Sequence, residues 1–243
     1  MDVSIVLPAY QEEENLKLLL PRIKETLDNT QFSYEIIVVD TQDPMDNTKV
    51  VCAELNARHS YRRNGNMYGD AIRTGFFEAS GKYIVVMDCD GSHEPHELVP
   101  MLGIVESGAD LVIGSRYVKG GHTDNNWVLR FMSLCVNVAY RVIFGLKVKD
   151  VSDSFRVYKY EQVKNLTLEC DHFDLVEEIL IKLAMANPKI KIVEHPISFR
   201  KRMYGDSKRD LVKFFLSYAP TIVRLYRMKT TVKEEGKFHE RQS

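Results

Sequence analysis

The stretch Ile84-Val85-Val86-Met87-Asp88-Cys89-Asp90-Gly91 decides the fold. Four apolar residues run straight into two carboxylates and a glycine, as where a buried strand ends and a loop begins. In open α/β sheets ligands collect at the carboxyl ends of the strands. A hard divalent cation takes oxygen ligands together with substrate phosphates rather than an all-protein cage. Asp88 and Asp90 therefore suit a metal held against a diphosphate. Read by itself, the Asp-x-Asp-Gly run serves equally as a turn that caps a helix starting near Pro95.

Outward from this run, short β-branched segments at Val3–Leu7, Glu35–Val39, Tyr83–Met87, Asp110–Ile113 and Ile190–Val193 read as buried strands. Between them Glu13–Asp28, Asn47–Arg58, Gly69–Ala79 and Pro95–Ser107 place apolar residues at three- and four-residue spacing, the period of a helix. Strand then helix, repeated, predicts an α/β fold: a mostly parallel, Rossmann-like sheet flanked by helices on both faces. After Ile113 the alternation stops. Two long segments, Trp127–Val148 and Asp210–Met228, read as amphipathic C-terminal helices with arginines and lysines beside an apolar stripe. One domain over residues 1–228 accounts for the pattern, with 229–243 polar, aperiodic and expected to be a flexible tail.

At 243 residues and 44% apolar composition the chain can bury an ample core. The formal charge of −1 gives no overall pull toward nucleic acid, but it is unevenly spread. Residues 196–229 hold nine Lys/Arg against two Asp/Glu, so one end is cationic. Cys52, Cys89, Cys135 and Cys170 show no paired spacing, and the sequence starts with a strand-like segment rather than a signal peptide. A reducing, cytoplasmic setting is expected. No run reaches the roughly 18 uninterrupted apolar residues of a membrane span, so any membrane contact is expected to be peripheral.

Three further blocks share the crevice of Asp88. Leu7-Pro8-Ala9-Tyr10-Gln11-Glu12 closes the first strand, Val38-Val39-Asp40-Thr41 the second, and Asp110-Leu111-Val112-Ile113-Gly114-Ser115-Arg116 the fourth. With Arg200-Lys201-Arg202-Met203-Tyr204-Gly205-Asp206-Ser207-Lys208, these blocks resemble, in order and over about residues 4–208, the family 2 glycosyltransferases of GT-A fold. Within that family they are most similar to the dolichyl-phosphate mannose synthases and related polyprenyl-phosphate sugar transferases.

The resemblance implies that Pro8, Tyr10, Glu12, Val39 and Asp40 line the nucleotide pocket. Asp88, Cys89 and Asp90 stand where those enzymes have Asp-Ala-Asp. It implies Mg²⁺ or Mn²⁺ on Asp88 and Asp90, with Asp90 favoured as direct ligand and Ser92 as a further metal-side group. The cation would neutralise the leaving nucleoside diphosphate. Arg202 and Lys208 fall in a loop similar to the Arg-x-x-Gly-x-Ser-Lys segment that closes over the donor, where a guanidinium binds as a fork and an ammonium as a point charge. Arg116, Arg130 and Ser133 match positions that hold the acceptor phosphate and join Asp90 as the expected catalytic group. Arg130 and Ser133, three apart, share one helix face. Read from the residues alone, Arg130 is equally a helix-face charge on a buried stem, and Arg116 equally caps a strand end.

The expected activity is metal-dependent, inverting transfer of a hexose of mannose or glucose type from a GDP- or UDP-sugar to a dolichyl or polyprenyl phosphate. It is expected at the cytoplasmic membrane face, with no nucleic-acid partner. A phosphate monoester with second pKa near ~6 is already a nucleophile at neutral pH, which agrees with the lack of an evident general base. Two alternatives stay open: a soluble family 2 transferase with a saccharide acceptor in surface-polysaccharide synthesis, and a non-catalytic nucleotide-sugar-binding subunit. A dinucleotide-dependent dehydrogenase is disfavoured because no G-x-G-x-x-G follows the first strand. The chain also departs from the family. Thr41 replaces the second Asp of Asp-Asp, Met67-Tyr68-Gly69 replaces Gly-Leu-Gly, and Asp153-Ser154-Phe155-Arg156 replaces Ser-Gly-Phe-Arg.

Overall fold

The computed structural model describes residues 1–205 and 218–231. The strands are β1 (Val3–Pro8), β2 (Tyr34–Asp40), β3 (Arg58–Tyr61), β4 (Tyr83–Val86), β5 (Leu111–Ser115), β6 (His122–Thr123), β7 (Arg156–Lys159), β8 (Ile192–Pro196) and β9 (Ser198–Phe199). The helices are α1 (Glu13–Asp28), α2 (Thr48–Glu54), α3 (Tyr68–Glu78), α4 (Leu98–Glu106, led by a 3₁₀ turn at Pro95–Glu97), α5 (Trp127–Phe144), α6 (Tyr160–Val163) and α7 (Leu175–Ala186). A further helix covers 218–231.

Seven strands form one sheet in the order β3-β2-β1-β4-β7-β5-β8, and β6 pairs with β9 in a small second sheet. All neighbours in the large sheet are parallel except at β7, which runs antiparallel to both β4 and β5. Side chains alternate across a strand, so β1 sends Ile5 and Leu7 to one face and Val6 to the other. The first face packs under α1, α2 and α4 through Leu16, Leu19, Ile23, Val51 and Met101. The second packs under α3, α5 and α7 through Ala71, Phe76, Tyr140, Leu175 and Ile179. Burial of each such side chain contributes about 1.5–3 kcal/mol, and burial on both faces explains why these strands read as unbroken apolar runs.

Four departures from the sequence reading have local causes. Helix α2 stops at Glu54 rather than Arg58, because Asn56 turns left-handed at φ 50° and Arg58–Tyr61 then pairs with β2 as an edge strand. Helix α5 ends at Phe144 rather than Val148, where Gly145 takes φ 72° and its amide closes on the Arg141 carbonyl. The helix of 218–231 carries three residues of the expected tail; residues 232–243 and the start of the predicted Asp210–Met228 helix lie outside the described residues. Finally, α5 is long and apolar enough by length and composition to cross a membrane. It escaped the sequence criterion because Arg130 and Arg141 interrupt it.

The topology places the site. Strands β1, β2, β4, β5 and β8 all point their carboxyl ends to one side of the sheet. Antiparallel β7 begins on that same side, with Arg156 opposite Val86 of β4 and Ile113 of β5. Residues 150–155, which lead into β7, therefore join the crevice.

Candidate active site

Strand β4 delivers Met87, whose amide still bonds to the Val6 carbonyl at 3.2 Å, and then turns through Asp88-Cys89-Asp90. Gly91 takes φ 77°, and a Cβ there would lie 2.3 Å from Met203 Cε, so glycine permits both the turn and the close approach of the 200–205 segment. That segment leaves β9 and is locked onto the loop by Arg200 N–H to Ser92 O (2.8 Å) and Met203 N–H to Asp90 O (2.9 Å). The Ser92 amide donates to Asp90 Oδ1 at 3.0 Å, and Arg202 Nε lies 3.4 Å from Asp90 Oδ2.

Glu12 stands at the N-cap of α1, but its carboxylate does not cap the helix. It accepts from Arg202 Nη2 at 2.8 Å and from Asn15 Nδ2 at 2.6 Å. Before it, Gln11 adopts φ 56°, a conformation that costs about 1–3 kcal/mol in a residue with a side chain and marks functional turns. Burial pushes the Glu12 carboxyl up, while Arg202 and Asn15 pull it down. Burial also opposes the charge on Asp90, but Ser92 and the Arg202 guanidinium outweigh it and hold that carboxyl below the usual range. Glu12, Asp90 and Arg202 thus form one charged cluster at the mouth of the crevice.

Asp40 is buried at the end of β2, with Oδ1 accepting from the Thr41 amide at 2.8 Å and Oδ2 lying 3.4 Å from His59 Nε2. Pro8 and the half-exposed Tyr10 follow β1 toward the same space. Val39 and Cys89 are both buried at the adjoining strand ends. The Val39 side chain is in the core and its carbonyl is taken by Ala9; Cys89 Sγ–H points to the Pro8 carbonyl at 3.2 Å. A residue the sequence reading passed over, Arg62, is buried just past β3 and donates to the Ala9 and Asn66 carbonyls.

Further along, Arg116 follows β5 and is gripped. Its Nε and Nη2 reach Asp150 Oδ2 and Oδ1 at 2.8 and 2.7 Å, Nε lies 3.1 Å from Asp153 Oδ2, and Nη2 donates to Ser152 Oγ (2.9 Å) and Ser133 Oγ (3.3 Å). Burial would lower the guanidinium pKa, but Asp150 and Asp153 raise it well above the ordinary arginine range. Asp150 is fixed in turn by Glu194 of β8, which accepts its amide at 2.9 Å. Ser133 therefore joins Arg116 as expected. Arg130, one turn earlier on α5, is exposed, and its side chain makes no hydrogen bond or ion pair among the described residues. Lys208 lies outside the described residues.

Asp150 and His93 escaped the sequence reading as functional residues, and Asp153 and Ser154 entered it only as a departure from a family motif. Ser154 Oγ donates to Asp88 Oδ1 at 3.0 Å, and buried His93 lies between the Asp88 backbone and Asp153. The available signal was the paired carboxylates Asp150-x-x-Asp153 just ahead of a strand on the crevice side.

These features define an α/β transferase site with a carboxylate pair at a strand end, a basic loop over it and a second cation deeper in. Residues 4–167 match the glycosyl transferase family 2 profile, and the chain belongs to that family; it is a glycosyltransferase of GT-A fold. It is 34% identical over 247 residues to the dolichol-phosphate mannosyltransferase of Pyrococcus furiosus, covering 98% of this chain and 67% of that protein. It is 33% identical over 216 residues to the polyprenol monophosphomannose synthase of Mycolicibacterium smegmatis, covering 84% and 79%. Among solved structures, glucosyl-3-phosphoglycerate synthase from Mycobacterium tuberculosis, in complex with Mn²⁺, UDP and glucosyl-3-phosphoglycerate, superposes with a TM-score of 0.70 at 18% identity, over 94% of this chain and 79% of that one.

Proposed function

We propose that the protein transfers a hexose, of mannose or glucose type, from a GDP- or UDP-sugar to a dolichyl or polyprenyl phosphate. The transfer is metal-dependent and inverting, and it takes place at the cytoplasmic face of a membrane. The observation that carries the reading is the convergence of Asp88 and Asp90 at the end of β4 with Arg202 over them and the Arg116–Ser133 pair farther in. Sequence relatives named as mannosyltransferases acting on dolichol phosphate and making polyprenol monophosphomannose support the acceptor class.

The donor atoms present fit Mg²⁺ or Mn²⁺. Among the described residues no group of three or more His, Cys, Asp or Glu could form a closed metal cage. Two carboxylates with no third beside them leave the other coordination positions to diphosphate oxygens and water, which is how hard cations with few protein ligands are held. The thiol between the two aspartates, Cys89 Sγ, faces the Pro8 carbonyl, and burial keeps it neutral by pushing its pKa well above the ordinary value. Asp88 and Asp90 would hold the cation, which when bound neutralises charge on the departing nucleoside diphosphate.

The chain's own residues do the remaining work. Arg202, oriented by Glu12, presents a fork to the diphosphate. Arg116 and Ser133 receive the acceptor phosphate, which attacks the anomeric carbon in a single displacement and so inverts it. Because that phosphate is already anionic near neutral pH, alignment and charge neutralisation suffice. Membrane contact falls to α5, where Trp127, Phe131, Leu134, Val138 and Val142 form an exposed apolar stripe at helical spacing.

The test is transfer of label from a panel of GDP- and UDP-sugars to a short-chain polyprenyl phosphate, with Mn²⁺ or Mg²⁺ and with EDTA. Metal-dependent lipid product is the expected result. Transfer to a saccharide alone would overturn the acceptor, and binding without turnover would overturn catalysis.

A further inference from the structure

Between Asp88 and Arg116 the structure holds a continuous buried link. The Asp88 amide donates to His93 Nδ1 at 3.1 Å, so the ring's proton sits on Nε2, 3.3 Å from Asp153 Oδ1. The other oxygen of Asp153 lies 3.1 Å from Arg116 Nε. His93 is fully buried, stacked on Phe155 (centroids 4.9 Å) and edge-on to Phe199 (5.3 Å), so its ring has one orientation.

Asp153 is equally fixed. Its Oδ1 accepts the Phe155 amide at 2.8 Å, and Arg156 ties down its carbonyl with Nε at 2.9 Å while also donating to the Val151 and Val176 carbonyls. With Nε and Nη2 of Arg116 occupied by carboxylates and hydroxyls, Nη1 has no hydrogen-bond partner among the described residues. It is the end of the guanidinium left to meet a ligand.

We propose that His93 and Asp153 are positioning residues that tie the Arg116 guanidinium to the Asp88 backbone, setting the spacing between the acceptor-side cation and the donor-side carboxylate and aiming Nη1 at the acceptor phosphate. The inference rests on the reading of Arg116 as the acceptor-side group. Electrostatically the link needs both carboxylate oxygens of residue 153, one at ion-pair distance from His93 Nε2 and the other from Arg116 Nε, whose own N–H bonds Asp150 Oδ2. An amide in its place presents an NH₂ to one of the two groups and breaks the link at unchanged volume.

A double-mutant cycle tests the role. Asp153→Asn should raise the acceptor KM about tenfold or more and leave nucleotide affinity within about twofold, and in an Arg116→Ala background it should cost almost nothing further, the non-additivity of residues that act through one another. His93→Phe, which keeps the ring stacking and removes both nitrogens, should move the acceptor KM the same way. Independent, multiplicative effects of Asp153→Asn and Arg116→Ala, or equal losses of donor and acceptor binding, would show a merely structural role and overturn the proposal.

If the unaltered enzyme glycosylates no lipid phosphate, it is the acceptor reading that has failed. Proton exchange at Arg116 Nε–H, followed by nitrogen-15 NMR, then decides the positioning role. Slow exchange that accelerates about tenfold or more in Asp153→Asn supports it; an unchanged rate overturns it. Thermal unfolding of each variant establishes that it is folded.

Discussion

Arg202 Nη2 lies 2.8 Å from Glu12 Oε1, joining positions 190 residues apart across the mouth of the crevice. The contact pre-orients the guanidinium before any donor arrives. Arg202→Ala should weaken nucleotide-sugar binding about 10–100-fold by calorimetry, and Arg202→Lys should recover only part of the loss, because an ammonium cannot span both a carboxylate and a diphosphate as a planar fork does. Unchanged donor affinity in Arg202→Ala would remove the loop from the donor site.

Asp90 has one oxygen on the Ser92 amide and the other near Arg202. Asp90→Asn keeps the shape and loses the charge. Its kcat/KM should fall about 100-fold or more, in line with removal of a preorganised charge at a leaving group. Mn²⁺ affinity measured with nucleotide present should drop with it, and EDTA should abolish turnover of the unaltered protein. Full activity of the Asn variant, or insensitivity to chelation, would rule out the metal.

The chain holds a single tryptophan, Trp127, which is 78% exposed at the start of the α5 stripe. Its fluorescence should shift to the blue on addition of anionic vesicles. Phe131→Ser with Val142→Ser should weaken vesicle binding about tenfold or more, since each apolar side chain buried in a membrane contributes of the order of 1 kcal/mol or more. Thermal stability should stay within about 0.5 kcal/mol because both sites are on the surface. No spectral shift at any lipid concentration would exclude α5 as the contact.

Glu177 is fully buried on α7 with neither oxygen hydrogen-bonded, and burial pushes its pKa from 4.5 up to about 8, with Arg156 opposing and Asp174 and Asp150 reinforcing the rise. From pH 4.5 to 8 the unfolded chain gives up a proton that the folded chain keeps, so stability is full below that window and declines through it. Glu177→Gln should match the unaltered protein below pH 4.5 and gain progressively up to pH 8, by about 5 kcal/mol. A melting-temperature difference independent of pH would show that Glu177 does not titrate there.

What the sequence revealed follows from how each element meets solvent. Helix α1 was legible to its exact ends because one face is core and the other charged. Helix α7 was not, because Leu175 to Leu183 are all buried, charged Glu177, Glu178 and Lys182 included, so polarity does not mark which face meets solvent. Strand β7 was hidden for a related reason: its four residues begin with Arg156, whose buried guanidinium spends its donors on backbone carbonyls, so it reads as a polar loop. In the site, Asp88, Asp90, Arg116, Ser133 and Arg202 could be named because each ends a recognisable strand or stands in a motif. His93 could not, and Asp153 only as a changed motif position, since their contacts exist only once β7 slots between β4 and β5 and brings the chain back to the crevice.

That insertion also makes the two walls of the crevice mechanically unequal. The Arg116 wall follows β5 and is tied through Asp150 and Asp153 to the segment entering β7, a strand bonded along both edges in the middle of the sheet. The Arg202 wall hangs from β9, two residues long in a two-stranded ribbon. The crevice therefore has one wall built into the seven-stranded sheet and one carried on a two-stranded ribbon; on the proposed reading the acceptor stands against the first and the donor against the second.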